Sequence, residues 1–267
     1  MNREIAIGTV VYKPNANVML RLQSARAAGF SVYVFDNSPQ DAAIRDCCRK
    51  CEPDAIKYST CGKNVGLGFG ISSVCAQAYY DSHRVLIFFD QDTVFDRSTL
   101  DFIEEFHAKN AEMAAGYSAI VFNAKREKMF KDVLLARSSG SLFFLENLKK
   151  INWHNEKYFV DCVDYEFCLR SSNNGLKIGE CSGAPGFDHE SEQPDVERVI
   201  FGKKFLMRKY SASRMLDATL ASLRLLAASI RDWNLPMSYA VLRSLVIYIS
   251  FQFLARIMNI TGREKSH

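Results

Sequence analysis

Asp90-Gln91-Asp92 sets two carboxylates one residue apart, directly after the apolar run Val85-Leu86-Ile87-Phe88-Phe89. Carboxylate oxygens are hard donors that suit Mg2+ or Mn2+, and an ion held by one or two of them keeps coordination positions open for a diphosphate. The same pattern also fits a solvated turn that caps a helix opening near Ser98. A second acidic block, "FVDCVDYEFCLR" (159–170), puts Asp161 and Asp164 three residues apart, on one face if the segment is helical, with Glu166 turned away. Asp164 there is either a helix N-cap or, facing a pocket, a group able to take a proton from an alcohol. His189 lies in the Gly/Pro loop "GAPGFDHESEQ" (183–193), as a metal ligand or as a solvated side chain. Asn64-Val65-Gly66-Leu67-Gly68-Phe69-Gly70 is glycine-rich but matches neither G-x-x-x-x-G-K-[ST] nor G-x-G-x-x-G. Its glycines permit a ligand close to the backbone or a tight strand-to-helix turn.

These groups need a scaffold, and the first ninety residues supply an alternating pattern. Short Ile/Val-rich runs at 4–12, 31–36, 55–60 and 84–90 read as buried strands. Helical spacing follows Pro14-Asn15 through Val18, Met19, Leu22, Ala25 and Ala28, and further helices are expected over 40–51 and from the glycine loop to Tyr80. Alternation of this kind predicts a parallel sheet with helices on both faces and ligands at the carboxyl ends of its strands. Asp36 and Asp90 both stand at such ends. The next hundred residues change character, with strands expected at 116–124, 129–137, 140–146 and 176–183 and a helix over 164–175 closed by Gly175. Residues 195–231 read as mostly helical.

The chain has 267 residues and a net charge of +4, with ordinary globular composition, and gives no ground for a nucleic-acid partner. The charge is uneven. From residue 200 onward eleven Lys/Arg face three acids, so this tail carries +8 and residues 1–199 carry −4. An anionic surface is the expected neighbour of the tail. Within it, "LVIYISFQFLA" (245–255) lies between Arg243 and Arg256. Twelve residues separate those arginines, fewer than the about 20 needed to span a bilayer. The segment is therefore either a core helix or an interfacial one. Eight cysteines and a start that runs straight into an apolar strand point to a reducing, cytoplasmic setting. Cys47, Cys48 and Cys51 lack the second ligand pair that a structural zinc site wants.

The order of the blocks is more specific than any one of them. "FFDQDT" is similar to the F-D-Q-D-[ST] of bacterial rhamnosyltransferases, and "FVDCVDYEFCLR" resembles their F-I-D-x-V-D-x-E-[WF]-C-x-R. The stretch 4–215 resembles glycosyltransferase family 2, inverting nucleotide-sugar enzymes. That resemblance implies a GT-A, Rossmann-like α/β fold: a mostly parallel sheet flanked by helices, with a helical C-terminal extension. It divides the chain into a catalytic domain over 1–195 and a basic helical region over 196–267. The nucleotide-binding half would cover about 1–95 and the acceptor half about 96–195.

By position, the resemblance puts Asp36 on the nucleotide base, with Thr9 and Tyr12 beside it, and Asn64 and Gly66 along the nucleotide pocket. Asp90 and Asp92 would hold Mg2+ or Mn2+ on the donor diphosphate, joined by His189, and Asp164 would be the catalytic base. Gln91, Asp161 and Glu166 belong to the same blocks and are expected at the substrate. "RKYSASR" (208–214) keeps Tyr210 and Arg214 in register with a Y-Y-x-x-R-N element, with Met215 in place of Asn. The register would carry Arg214 to the diphosphate. Ser72 and Ser73 stand where many members have Asn.

The implied reaction is transfer of a sugar, L-rhamnose from dTDP-rhamnose or a galactofuranosyl or other hexosyl group from a UDP-sugar. The acceptor would be a glycan on a lipid diphosphate carrier in O-antigen or capsule biosynthesis, at the inner face of the cell membrane. Two rival readings stand beside this: a sugar nucleotidyltransferase, which wants a G-x-G-T-R-type loop where this chain has "TVVYKPN", and a noncatalytic carbohydrate-binding protein, which has no use for Asp90, Asp92 and Asp164 together.

Overall fold

The computed structural model describes residues 4–38, 45–46, 48, 56–125, 129–189, 196–200 and 203–257. The chain divides into two compact units, Met1–Glu190 and Ser191–His267. The first is built on one eight-stranded sheet in the order β3-β2-β1-β4-β8-β6-β9-β7. Its strands are β1 (Ile5–Val11), β2 (Ser31–Asp36), β3 (Ile56–Thr60), β4 (Val85–Asp90), β6 (Tyr117–Asn123), β7 (Phe130–Val133), β8 (Ser141–Phe144) and β9 (Lys177–Ser182). Strands β1 to β4 pair in parallel, and β8 runs antiparallel to both β4 and β6. The sheet is therefore mixed beyond β4. Every residue of β1 is buried, which is why it reads as a continuous apolar run and not as an alternation.

Helices α1 (Ala16–Ala27), α2 (Leu67–Tyr80), α3 (Arg97–Lys109), α4 (Leu145–Lys150) and α5 (Val163–Asn173) complete the unit. Asn15 caps α1 by accepting from Val18 N–H. The cap of α3 is Asp96, in a reciprocal capping box with Thr99, so the helix starts ahead of Ser98. A core that includes Ile7, Val34, Ile87, Phe89, Ile120, Leu142 and Phe187 fixes the sheet against its helices. Strand order reverses between β1 and β4, because β2 and β3 extend to one side of β1 and β8 lies on the far side of β4. In an open α/β sheet that switch point leaves a crevice at the carboxyl ends.

The second unit contains a hairpin of β11 (Val196–Ile200) and β12 (Lys203–Met207), then α6 (Ala212–Arg231) and α7 (Leu235–Ile257). The helical reading of 195–231 is corrected at its start. Val196-Glu197-Arg198-Val199-Ile200 and Lys203-Lys204-Phe205-Leu206-Met207 pair antiparallel, and β-branched and aromatic residues favour a pleated strand there. Helix α7 is 23 residues long and apolar enough to cross a membrane by length and composition, with 22% of its most apolar window buried. It is thus not the core helix that its apolar run permitted. Its buried residues Met237, Val241, Leu245, Gln252 and Ala255 recur three, four or seven apart, on one helical face, and α7 packs along α6. Leu235, Tyr239, Leu242, Val246, Phe253 and Ile257 remain exposed. The helix expected over 40–51, with Cys47 and Cys51, lies for the most part outside the described residues.

Candidate functional site

The register places Val10 of β1 opposite Asp90 of β4, and Val11 opposite Asp36 of β2. The carboxyl ends of three strands thus meet at the switch point. Gln91 ties the crevice together: its Oε1 accepts from Tyr12 N–H at 2.7 Å, and its Nε2 donates to the Tyr12 carbonyl at 3.2 Å. Arg21 Nη2 donates to the Gln91 carbonyl at 2.7 Å. Gln91 therefore works as a clasp between two strand ends.

On the nucleotide side most polar groups are engaged within the protein. Asp36 is fully buried, and its carboxylate accepts from Tyr58 Oη at 2.8 Å and Ser38 N–H at 2.7 Å. That carboxylate pushes the Tyr58 phenol up to about 12, adding to the larger effect of burial. Thr9 is buried within β1 between β2 and β4, so the structure does not bring its side chain to the crevice. Tyr12 is exposed. Asn37, which the sequence reading passed over, accepts from Val65 N–H and donates to the Gly66 carbonyl, holding the glycine loop against β2. Asn64 is exposed and accepts from Gly66 N–H at 3.0 Å.

The glycines of that loop approach the protein's own backbone. Gly66 has φ +92°, and a Cβ there would lie 2.6 Å from the Phe159 carbonyl oxygen. At Gly68 a Cβ would meet the Asn155 carbonyl oxygen at 2.6 Å. The close approach expected for a ligand is thus made by the segment leading into α5, and Leu67 N–H donates to the Phe159 carbonyl.

The other side of the switch point is different. Gly140 has φ +77°, and its N–H donates to the Phe88 carbonyl, so β8 begins beside the end of β4. This delivers Arg137, Ser138 and Ser139 to the carboxylates. Ser138 donates its hydroxyl to Asp164 Oδ1. The Ser139 hydroxyl accepts from Asp90 N–H at 3.1 Å and lies 2.5 Å from Thr93 Oγ1. In the sequence, the signal in "ARSSGS" (136–141) is two hydroxyls set just ahead of a glycine.

Helix α5 starts at Val163 after Cys162, whose φ of +63° turns the chain sharply. Asp164 sits in the first turn, where the helix end favours negative charge. Asp161 precedes the helix and so does not share a helical face with Asp164. Glu166 is buried and committed elsewhere: it accepts from Asn155 Nδ2 at 3.0 Å and pairs with Arg170 at 2.7 and 3.0 Å. It anchors the 151–155 loop and is not brought to the crevice.

Burial and the repulsion of Asp164 and Asp92 push Asp90 up to about 7, against a smaller opposing pull from Arg137. Burial likewise raises Asp164, while Ser138 and Arg137 pull it back. These shifts show Asp90, Asp92, Asp164 and Arg137 within electrostatic reach of one another. The Asp90 carboxylate accepts no hydrogen bond among the described residues. Concentrated, uncompensated negative charge on hard oxygen donors fits a divalent cation. Among the described residues no three His, Cys, Asp or Glu side chains form a ready metal cluster. The backbone of His189 belongs to the two-residue strand β10 (Asp188–His189), which pairs with β5 (Thr93–Val94) and sets His189 opposite Thr93. Its side chain is outside the described residues. Arg214 opens α6 in the second unit, with its guanidinium 4.7 Å from the centre of the Tyr210 ring.

No family model and no curated protein matches the chain. Solved structures do. The crystal structure of S. aureus TarS 1–349 superposes with a TM-score of 0.58 at 15% identity, over 85% of this chain and 66% of that one. A longer S. aureus TarS structure gives a TM-score of 0.56 at 16% identity, with 85% of this chain and only 40% of that one covered. The mannosyltransferase PcManGT from Pyrobaculum calidifontis, solved with GDP-Man and Mn2+, gives 0.56 at 14% identity, over 92% of this chain and 76% of that one. At such identities the likeness is one of fold. The eight-stranded mixed sheet, its flanking helices and the helical C-terminal segment give this chain the GT-A glycosyltransferase fold.

Proposed function

We propose that the protein is an inverting, metal-dependent glycosyltransferase that uses a nucleotide sugar. The observation that carries this is the pairing of Asp164 with Ser138 beside an unsatisfied Asp90, at the switch point of a GT-A sheet. In this reading Asp164 accepts the proton of an acceptor hydroxyl. The oxygen attacks the anomeric carbon opposite the leaving group, the glycosidic bond forms with inversion, and the nucleoside diphosphate departs with the bonding pair. A raised carboxylate pKa brings the base closer to neutral pH, where such a proton transfer works best. The Ser138 hydroxyl orients one oxygen of Asp164.

Asp90 and Asp92, with His189 alongside Thr93, are the residues that would hold Mg2+ or Mn2+. A divalent ion there supplies charge stabilisation for a departing diphosphate. The nucleotide would lie along the ends of β1 and β2, with Tyr12 and Asn64 exposed towards it. Asp36 would then shape the base pocket through Tyr58 and Ser38, since its own oxygens are enclosed.

The two motif blocks support L-rhamnose from dTDP-rhamnose as the donor. A UDP-sugar is the alternative, and TarS 1–349 has been solved with UDP-GlcNAc. The acceptor in this reading is a glycan on a lipid diphosphate carrier, in O-antigen or capsule synthesis at the inner face of the cell membrane. The basic second unit supports peripheral attachment. Its exposed Leu220, Trp233, Tyr239 and Phe253 accompany an excess of Lys/Arg, a combination that suits an anionic bilayer surface. Arg243 and Arg256 both lie within α7. Burying Arg243 midway across hydrocarbon is costly, so α7 is assigned to the surface and not to a span.

Asp164→Asn tests the catalytic assignment. Sugar transfer should fall by about a thousandfold, while nucleotide-sugar binding with Mn2+ persists in a thermal-shift screen. Turnover retained in the variant overturns the base. Vesicle flotation tests the surface: Tyr239→Asp with Phe253→Asp should release the protein from phosphatidylglycerol vesicles, and unchanged flotation removes the membrane assignment.

A further inference from the structure

A cavity of about 550 Å3 is walled by the end of β6, the 135–139 segment, Glu180 of β9 and Asp188. Asn123, Lys125, Arg137, Ser139, Tyr165 and Asp188 line it, whereas Tyr12, Asp36, Asn64 and Gly66 do not. Its size falls in the range of small-molecule sites. Two of its lining residues flank the reacting groups directly. Arg137 precedes Ser138, whose hydroxyl holds Asp164, and Tyr165 follows Asp164 on α5.

The cations of this cavity are not equivalent. Lys125 is bound to Glu180, which also lines the cavity, at 2.9 Å, and Lys131, outside the lining, lies 3.8 Å from the same carboxylate. Arg137 is exposed and makes no direct hydrogen bond or ion pair among the described residues, acting on Asp90 and Asp164 by charge alone. Its backbone, in contrast, is fixed. The Arg137 carbonyl accepts from Ser141 Oγ at 2.7 Å, and Ser141 N–H donates to the Ser138 carbonyl at 3.0 Å. A tethered backbone carrying a planar fork of five donors with no direct hydrogen bond suits bidentate capture of a carboxylate or phosphate. Tyr165 offers the cavity an aromatic ring, as apolar sugar faces require.

We propose that this cavity receives the acceptor saccharide and that Arg137 selects an acceptor bearing an anionic oxyacid group, a carboxylate or a phosphate. The proposal rests on the glycosyltransferase reading for the word acceptor, but the anion preference of the cavity stands by itself. A uronate, a phosphorylated sugar or the diphosphate of a carrier all carry such a group.

Saturation-transfer NMR on the full chain, with glucuronate, glucose 6-phosphate and glucose as separate probes, tests it. Both anionic sugars should bind at least about tenfold more tightly than glucose. Arg137→Ala should bring them down to the glucose level, and Arg137→Lys, which keeps the charge but loses the fork, should fall between. Whichever anionic probe binds more tightly distinguishes carboxylate from phosphate. Equal binding of glucose, or anion binding unchanged in Arg137→Ala, overturns the proposal. A thermal shift of the unaltered chain by UDP or dTDP with Mn2+ reads the donor assignment separately. Loss of that shift with the anion preference intact would sink the function and leave the cavity's specificity standing.

Discussion

The two sides of the switch point treat their polar groups in opposite ways. On the β1–β3 side, Asp36, Asn37, Asn64 and Gln91 bond to the protein itself and stitch three strand ends into one rim. On the β4–β8 side, the Asp90 carboxylate accepts no hydrogen bond among the described residues, Arg137 meets Asp90 and Asp164 by charge alone, and Asp164 is held by Ser138. A buried or crowded charge that the fold leaves uncompensated is costly, and such groups cluster where chemistry occurs. The comparison makes a general claim about this molecule. Changes on the first side should cost stability, and changes on the second should cost activity while sparing or raising stability.

The largest separation should come from Asp164→Asn set against Arg170→Ala. The first removes a carboxylate that burial disfavours, so transfer should be lost while Tm holds or rises. The second strips Glu166, 5% exposed, of its bidentate partner, and an unpaired buried charge costs about 3–5 kcal/mol. Arg170 also donates to the Ile151 and Trp153 carbonyls, so the 151–155 loop should loosen with it. Urea unfolding of both variants decides the matter. An Arg170→Ala protein as stable as its parent would show that the Glu166 pair does not carry the stability assigned to it.

Gly66→Ala comes next. A residue with a Cβ held at φ +92° is strained, and its Cβ would meet a carbonyl oxygen at 2.6 Å. The expected loss is about 2–3 kcal/mol, at the upper end for a single strained backbone site. A midpoint of denaturation unchanged from the parent would show that the loop is free to move off Phe159, and that its glycine serves a ligand after all.

A smaller effect concerns pH. The folded protein holds Asp90 near 7, above the usual carboxylate value. Between about pH 4 and 7 the folded state therefore binds more protons than the unfolded state, and stability falls as pH rises through that window. Metal-free protein should lose a few degrees of Tm, about 2–4 °C, between pH 5.5 and 7.5. Asp90→Asn should flatten that slope, and Mn2+ should restore Tm most strongly at the higher pH, where the carboxylate is ionised. A slope that persists in Asp90→Asn assigns it to another group.

Much of this contrast was legible in the sequence, but not its cause. β1, β2 and β4 are short apolar runs that end in Asp or a polar turn, and strand buriedness leaves that mark directly. The partners of Gly66 and Gly68 were not legible, because Phe159 and Asn155 lie about ninety residues further on. Composition alone cannot tell a glycine that admits a ligand from one that admits a neighbouring strand of chain. Glu166 and Arg170 are four apart on a helix and were readable as a pair, yet the shared acidic motif drew Glu166 towards the substrate. Cys162 starts α5 from a left-handed conformation that no residue type announces, so the helical face that the spacing of Asp161 and Asp164 allowed does not form. The hairpin of β11 and β12 was lost to the same ambiguity between apolar spacing in helices and strands.

The finest probe of the comparison is Gln91, because it stands between the two aspartates yet belongs by its bonds to the stitched side. Its amide exchanges two hydrogen bonds with the Tyr12 backbone, across the crevice and exposed to water. A solvent-exposed pair of this kind contributes about 1 kcal/mol or less, since water replaces what is lost. Gln91→Ala should therefore lower stability by about that much. Its effect on transfer should be an increase in KM for the nucleotide sugar with little change in kcat, because the clasp sets the width of the crevice and touches no reacting atom. Gln91→Glu keeps the acceptor for Tyr12 N–H but loses the donor to its carbonyl, and adds a third carboxylate beside Asp90 and Asp92. If Gln91→Glu binds Mn2+ more tightly and still has a raised KM, the clasp and the metal face are separate functions of one turn. If kcat falls in Gln91→Ala as far as it does in Asp164→Asn, Gln91 belongs with the reacting groups, and the boundary between the two sides runs through Tyr12 instead.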